Sequence, residues 1–267
     1  GRFPENDRPS AAIVGARLCS TYGRIQAFRY GKFLSEHGVQ VISGMAAGID
    51  AESHKGALEG GTPTFAVLGN GVDICYPSSS RSIYRRIPQE NGGIISEYEP
   101  GTRGRAYHFP ARNRIISGLS DAVLVMEARV RSGSLITADM ALEQGKDVYA
   151  LPGPLDSPLS AGCNHLIQQG AGILLNPKNL LEEWGIETNV LCRNTEIKNE
   201  KNKKVLESTD DLVYSCLDLN PKAVSQLQDE TGLPSGSLLK SLYYLTAKDL
   251  AREVWQNYYI RTEKRWA

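Results

Sequence analysis

Seven short apolar runs punctuate the first 185 residues: AAIVGA at 11–16, VQVISG at 39–44, TPTFAVLG at 62–69, GGIISE at 92–97, DAVLVMEA at 121–128, KDVYALPG at 146–153 and GAGILLN at 170–176. They are continuous rather than alternating, which marks strands buried on both faces, as in a parallel sheet covered by helices. Between them lie stretches that predict helices at 21–37, 49–60, 79–90, 111–119, 134–144, 163–169 and 178–184. Several runs end in glycine, which suits a tight strand-to-helix turn. Strand and helix alternating in this way predict an α/β fold, a doubly wound and mostly parallel sheet.

The texture changes after residue 186. Residues 187–207 are polar, rich in Asn and Lys, and carry five basic and four acidic side chains without apolar periodicity. That composition predicts a solvated linker. From 208 a second unit is expected: helices over 210–219, 221–232 and 234–246, with Gly232-Leu233-Pro234 turning between the last two. AREVWQNYYIR at 251–261 alternates around Gln256-Asn257 and predicts a β-hairpin. Residues 208–267 therefore resemble a winged-helix domain. Its presumptive recognition helix, 235–245, carries Lys240 as its only charge, a poor grip on a duplex. Leu238, Leu239, Leu242 and Leu245 recur at helical spacing and are expected in that domain's core, with Tyr243 and Tyr244 toward its edge.

The 267 residues include 30 basic and 30 acidic side chains, so bulk charge points to no polyanion and any such site must come from local clustering. No run of 18 apolar residues occurs, so no membrane span is expected. The opening GRFPENDRPS has no apolar signal segment. The chain starts on Gly1 rather than Met, so residues 1–10 are expected to be a tail left by removal of a preceding domain. Cys19, Cys75, Cys163, Cys192 and Cys216 form no CxxC pair and are odd in number, which argues against a disulfide framework or zinc site and fits a cytoplasmic location.

In a doubly wound sheet, ligands sit beyond the carboxyl ends of the strands. The small residues of this chain gather there: Gly15-Ala16-Arg17, Ser43-Gly44, and Arg131-Ser132-Gly133-Ser134 before a helix. Small residues let phosphate approach backbone N–H groups, and a helix N-terminus adds a favourable dipole. Ser132 and Ser134 also suit helix capping. A dinucleotide is not expected: the first turn lacks the second glycine of GxGxxG, and no acidic residue ends the second strand. No P-loop occurs, and no cofactor is implied.

The local charge signal is arginine. Between 81 and 131 all nine basic residues are arginine, against five acidic ones. A guanidinium matches phosphate oxygens in a flat fork. On a helix, Arg112 and Arg114 stand roughly 200° apart, so only one can face a ligand and the other is free to pair a carboxylate. Asn113 is placed to meet backbone, phosphate or a base, and Tyr76, Tyr107 and Phe109 are candidate stacking platforms.

AIVGAR at 12–17, ISGMAAGIDAESHKGAL at 42–58, AVLGNGVDICYP at 66–77, SEYEPG at 96–101, FPARNRIISGLSDAVLVMEA at 109–128, SGSLITADMALEQGKDVYALPG at 132–153 and NHLIQQGA at 164–171 resemble the DNA-processing protein A (DprA/Smf) family. The resemblance covers 11–184 in order. It implies an extended Rossmann-like domain over 11–186 that binds single-stranded DNA without catalysis, protects incoming DNA in natural transformation, helps load RecA and acts as a homodimer. It implies that DNA phosphates enter a pocket formed here by Arg17, Ser43, Gly44, Arg112, Asn113, Arg114, Ser132, Gly133 and Ser134. Ala111 stands where some members carry a basic residue, and Ser78-Ser79-Ser80 where others have a basic or Asn-containing stretch; both departures lower the expected affinity.

Two other readings compete. Related folds include phosphoribohydrolases, which need a carboxylate near a ribose; Glu97, Glu127 and Glu143 are candidates, but Pro152-Gly153 runs into Pro154-Leu155-Asp156 rather than a PGGxGT loop. The third is a protein-interaction scaffold docking through the C-terminal unit.

Overall fold

The computed structural model describes residues 1–186, 208–218 and 221–262. They fall into two compact units, Gly1–Asn189 and Val190–Ala267; the expected linker at 187–207 lies outside the described residues. The first unit runs β1 (Ser10–Val14), α1 (Thr21–Glu36), β2 (Gln40–Ser43), α2 (Ile49–Gly60), β3 (Thr64–Val67), α3 (Arg81–Gln89), β4 (Gly93–Ile95), α4 (His108–Gly118), β5 (Ala122–Val125), α5 (Gly133–Glu143), β6 (Asp147–Ala150), α6 (Ala161–Gln168), β7 (Gly172–Ile173) and α7 (Pro177–Glu183).

The seven strands form one sheet in the order β4-β3-β2-β1-β5-β6-β7, and every pairing between neighbours is parallel. The chain winds outward from β1 in one direction, then crosses through α4 to β5 and winds outward in the other. This is the Rossmann-like doubly wound sheet that the apolar runs predict, with its topological switch point between β1 and β5.

Strand alternation sends Ala11 and Ile13 into one core layer and Ala12 and Val14 into the other. The first layer packs Ala27, Tyr30 and Leu34 of α1 with Leu180 and Leu181 of α7. The second packs Ile116 of α4, Ala138 and Ala141 of α5, and Cys163 and Leu166 of α6. Full burial of each large aliphatic side chain contributes about 1.5–3 kcal/mol. Helices α1 and α2 approach closely enough that a Cβ on Gly56 would lie 2.1 Å from the Phe28 carbonyl oxygen. Both sheet edges are short. Strand β7 has two residues, with Ile173 half exposed, and β4 has three, flanked by the N-terminal segment through Arg2 N–H donating to Gly92 O at 3.0 Å.

The second unit runs α8 (Ser208–Cys216), β8 (Lys222–Ala223), α9 (Val224–Thr231), α10 (Ser235–Ala247), β9 (Ala251–Trp255) and β10 (Tyr258–Arg261), with an antiparallel sheet in the order β8-β10-β9. The helix predicted over 221–232 is split: Lys222 and Ala223 pair with Tyr259 and Tyr258, and the helix begins only at Val224. Gly232 ends α9 in the left-handed conformation that the turn needs, at φ 66°. Val213, Leu217, Leu227, Leu238, Leu242 and Leu245 fill the core. Leu239 does not join them; it is 46% exposed, on the outer side with Tyr243.

Candidate nucleic-acid interface

The loops leaving the carboxyl ends of β1, β2 and β3, together with the first turns of α4 and α5, enclose a cavity of about 660 Å³ at the switch point. Gly15 and Arg17 follow β1, Ala46 follows β2, and Asp50 opens α2. Tyr76, Gly104, Phe109, Pro110, Arg112 and Asn113 line one side. Arg131, Ser132, Gly133, Ser134 and Thr137 line the other.

Arg112 forms the floor. It is 5% exposed, and its Nη1 donates to the carbonyl of Gly44 at 2.7 Å and to that of Val67. Burial pushes its pKa down to about 10, while Asp50 opposes that shift. Glycine at 44 is a steric requirement, because a Cβ there would lie 2.5 Å from Arg112 Nη1. Asp50, also buried, closes the β2–α2 turn by accepting from Gly44 N at 3.2 Å and Ala46 N at 3.4 Å. Its pKa is raised by burial, against the lowering pull of Arg112, the two backbone amides and Arg17.

Arg17 stands at the exposed rim with its guanidinium 5.4 Å from the centroid of the half-buried Phe109 ring, a cation–π contact. Tyr76, half exposed, tilts against the same ring at 5.7 Å. Asn113 Nδ2 donates to the Gly133 carbonyl at 3.1 Å and ties α4 to the start of α5. Ser132 is the N-cap of α5: its Oγ accepts from Ser134 N at 3.4 Å and lies 2.8 Å from Ser134 Oγ. The α5 N-terminus thus presents backbone N–H groups and small hydroxyls at the wall, a geometry suited to an anion.

Of the nine residues expected to form a phosphate pocket, Arg17, Arg112, Asn113, Ser132, Gly133 and Ser134 line the cavity. Gly44 lies beneath Arg112 and shapes the floor. Two do not join them. Ser43 is fully buried and donates its hydroxyl to Ile13 O at 2.6 Å, a bond between neighbouring strands. Arg114 points to the opposite side of α4 and pairs with Glu97 at the surface, as the angular separation from Arg112 requires. Tyr107 is exposed beside the cavity, its hydroxyl accepting from Arg105 at 3.1 Å. Asp50 escaped the sequence reading because it resembles an ordinary first-turn acid of α2. None of the three carboxylates considered for hydrolysis reaches the cavity. Glu127 is held by Ser20 N and Oγ at 2.8 and 2.5 Å, Glu97 pairs with Arg114, and Glu143 ends α5 at the surface. Among the described residues no cluster of metal-ligating side chains occurs, and no helix is long and apolar enough to cross a membrane.

Fold and site define a Rossmann-like protein with an arginine-floored cavity at the switch point of its sheet. Residues 1–185 match the family model for DNA recombination-mediator protein A, and the chain belongs to that family. It is 43% identical over 176 residues to DNA processing protein DprA of Streptococcus pneumoniae, covering 66% of this chain and 62% of that one. It is 45% identical over 171 residues to protein Smf of Escherichia coli, covering 64% and 46% respectively. The match thus spans only about half to three fifths of these relatives. A solved structure of DNA processing protein A from Helicobacter pylori, described for its single-stranded DNA binding mode, superposes with a TM-score of 0.61 at 30% identity, over 67% of this chain and 81% of that one.

Proposed function

We propose that this chain binds single-stranded DNA without catalysing a reaction on it, and acts in recombination of incoming DNA during natural transformation. The observation that carries the reading is the cavity itself: a buried Arg112 and a rim Arg17 beside the α5 N-terminus, with Phe109 and Tyr76 at its mouth. Guanidinium groups and helix amides grip phosphate, and half-exposed rings offer unpaired bases a stacking face. The DNA-contacting set is Arg17, Arg112, Asn113, Ser132, Gly133 and Ser134, with Gly44 supporting Arg112. The carboxylate in the cavity, Asp50, is committed to two backbone amides, which favours a binding role over acid–base chemistry. Family membership supports the further steps of a homodimer, protection of the strand and delivery to RecA. Residues 208–267 form a separate winged-helix domain in this reading, supported by three helices and a three-stranded antiparallel sheet in winged-helix order.

The test is a titration of matched single- and double-stranded oligonucleotides at several salt concentrations. Single strands bind more tightly, with little sequence preference and a log–log salt slope of about −0.7 per phosphate neutralised. Equal affinity for duplex in matched salt would sink the reading.

A further inference from the structure

Asp50 is an odd lining for a phosphate cavity, because a carboxylate there repels the ligand. Its position explains its presence. Asp50 Oδ2 accepts from the N–H of Gly44, and the carbonyl of the same Gly44 accepts from Arg112 Nη1. A Cβ built on Gly44 would lie 2.5 Å from Arg112 Nη1 and 2.7 Å from Asp50 Oδ2, so the two charges converge on one point with a single glycine between them. A buried guanidinium needs a counter-charge in the folded protein. Among the described residues no carboxylate forms a direct ion pair with Arg112, and Asp50 is the carboxylate that shares its wall of the cavity.

We infer that Asp50 is a positioning residue that also limits the grip on DNA: its carboxylate holds Arg112 in place when the cavity is empty and weakens the hold on an entering phosphate. This rests on the cavity being the single-stranded DNA site. The arrangement trades affinity for stability. Before binding, Arg112 and Asp50 balance each other across Gly44. Once a phosphate reaches Arg112, Asp50 stands as a second negative charge a few ångströms away. With an effective dielectric constant between about 80 and about 20, a like charge at about 4 Å weakens binding by roughly fivefold to a thousandfold. The effect falls mainly on the dissociation rate, so a strand leaves the cavity readily and passes to another binder.

The experiment compares wild type with Asp50→Asn and Asp50→Ser, using fluorescence anisotropy on a labelled oligothymidylate together with thermal melting. Both replacements are neutral and keep an oxygen that accepts from Gly44 N. The expected result is single-strand affinity raised at least about fivefold by slower dissociation, with a lower melting temperature in the absence of DNA. A scaffold role alone lowers the melting temperature and leaves affinity unchanged or weaker, and that outcome overturns the inference. So does failure of both variants to fold. Arg17→Ala is measured alongside. If it binds as wild type does, the cavity is not the DNA site and the proposed function fails first. If it weakens binding while the Asp50 variants do not tighten it, only the inference about Asp50 fails.

Discussion

Arg17 and Arg112 carry the same charge into the same cavity, but burial separates their roles. Arg17 is exposed and touches Phe109, whereas Arg112 holds the carbonyls of Gly44, just beyond β2, and of Val67, the last residue of β3, from inside the protein. Arg17→Ala is therefore expected to weaken single-strand binding by on the order of 1.5–3 kcal/mol, the worth of a charge-assisted contact, with no change in melting temperature. Arg112→Ala is expected to lower both, because it leaves Asp50 buried without its counter-charge at a cost of about 3–5 kcal/mol. Parallel anisotropy and calorimetry separate the two patterns; equal melting temperatures for the two variants would contradict them. At this scale the sequence names the chemistry better than the partners. The arginine cluster and the small residues at strand ends are visible as residue types. That Ser43 spends its hydroxyl on Ile13, and that Asp50 turns back onto Gly44 and Ala46, depends on atoms brought together only by the folded β1–β2 and β2–α2 connections.

Helix α2 carries a buried titratable residue one turn beyond Asp50. His54 Nδ1 lies 2.8 Å from Thr64 Oγ1, and that hydroxyl donates to Val41 O at 2.7 Å. The hydroxyl proton is thus used, so Nδ1 must be the donor and Nε2 is the unprotonated nitrogen. Nε2 is buried and has no protein partner. Burial, helped by Arg112, pushes the His54 pKa from 6.5 down to about 3. A folded pKa below the unfolded one means that the unfolded chain takes up the proton first. The contribution of His54 to stability is complete above pH 6.5 and is lost as pH falls toward 3, by up to about 1.4 kcal/mol per pH unit. In His54→Asn, whose amide keeps a donor for Thr64, melting temperature should fall less steeply between pH 6.5 and 4 than in wild type. Parallel slopes would refute the assignment. The elements themselves were legible where burial on both faces made the strands continuous: six of the seven predicted strands contain the observed one, and β1 begins one residue before its predicted run, at Ser10. Helix α4 begins at His108 rather than 111 because Pro110 is tolerated in a first turn. The split of α9 left no local signal, since β8 exists only through pairing with a strand some 35 residues away.

The cavity draws on Arg17, Asp50, Tyr76, Arg112 and Ser132, all within the first unit, whose core layers are likewise its own. A chain ending at residue 186 is therefore expected to fold and to keep most of its single-strand affinity, measured by calorimetry and anisotropy. Loss of DNA binding with the sheet intact would move the site into the second unit. The composition break after 186 lies near the division between the two units at 189 and 190, whereas the leucine spacing in α10 placed Leu239 inside when it faces out, because four leucines span more of the helix surface than one small core can cover. The two rims of the main sheet carry a consequence of another kind. A strand that ends a sheet offers unpaired amides and carbonyls to any extended chain it meets, including the unpaired strands of partly folded copies. Here β7 offers two residues, and the Arg2 segment already occupies the backbone at the start of β4. If copies of this chain gather along single strands as proposed, the main sheet of the first unit offers its neighbours almost no template for strand addition.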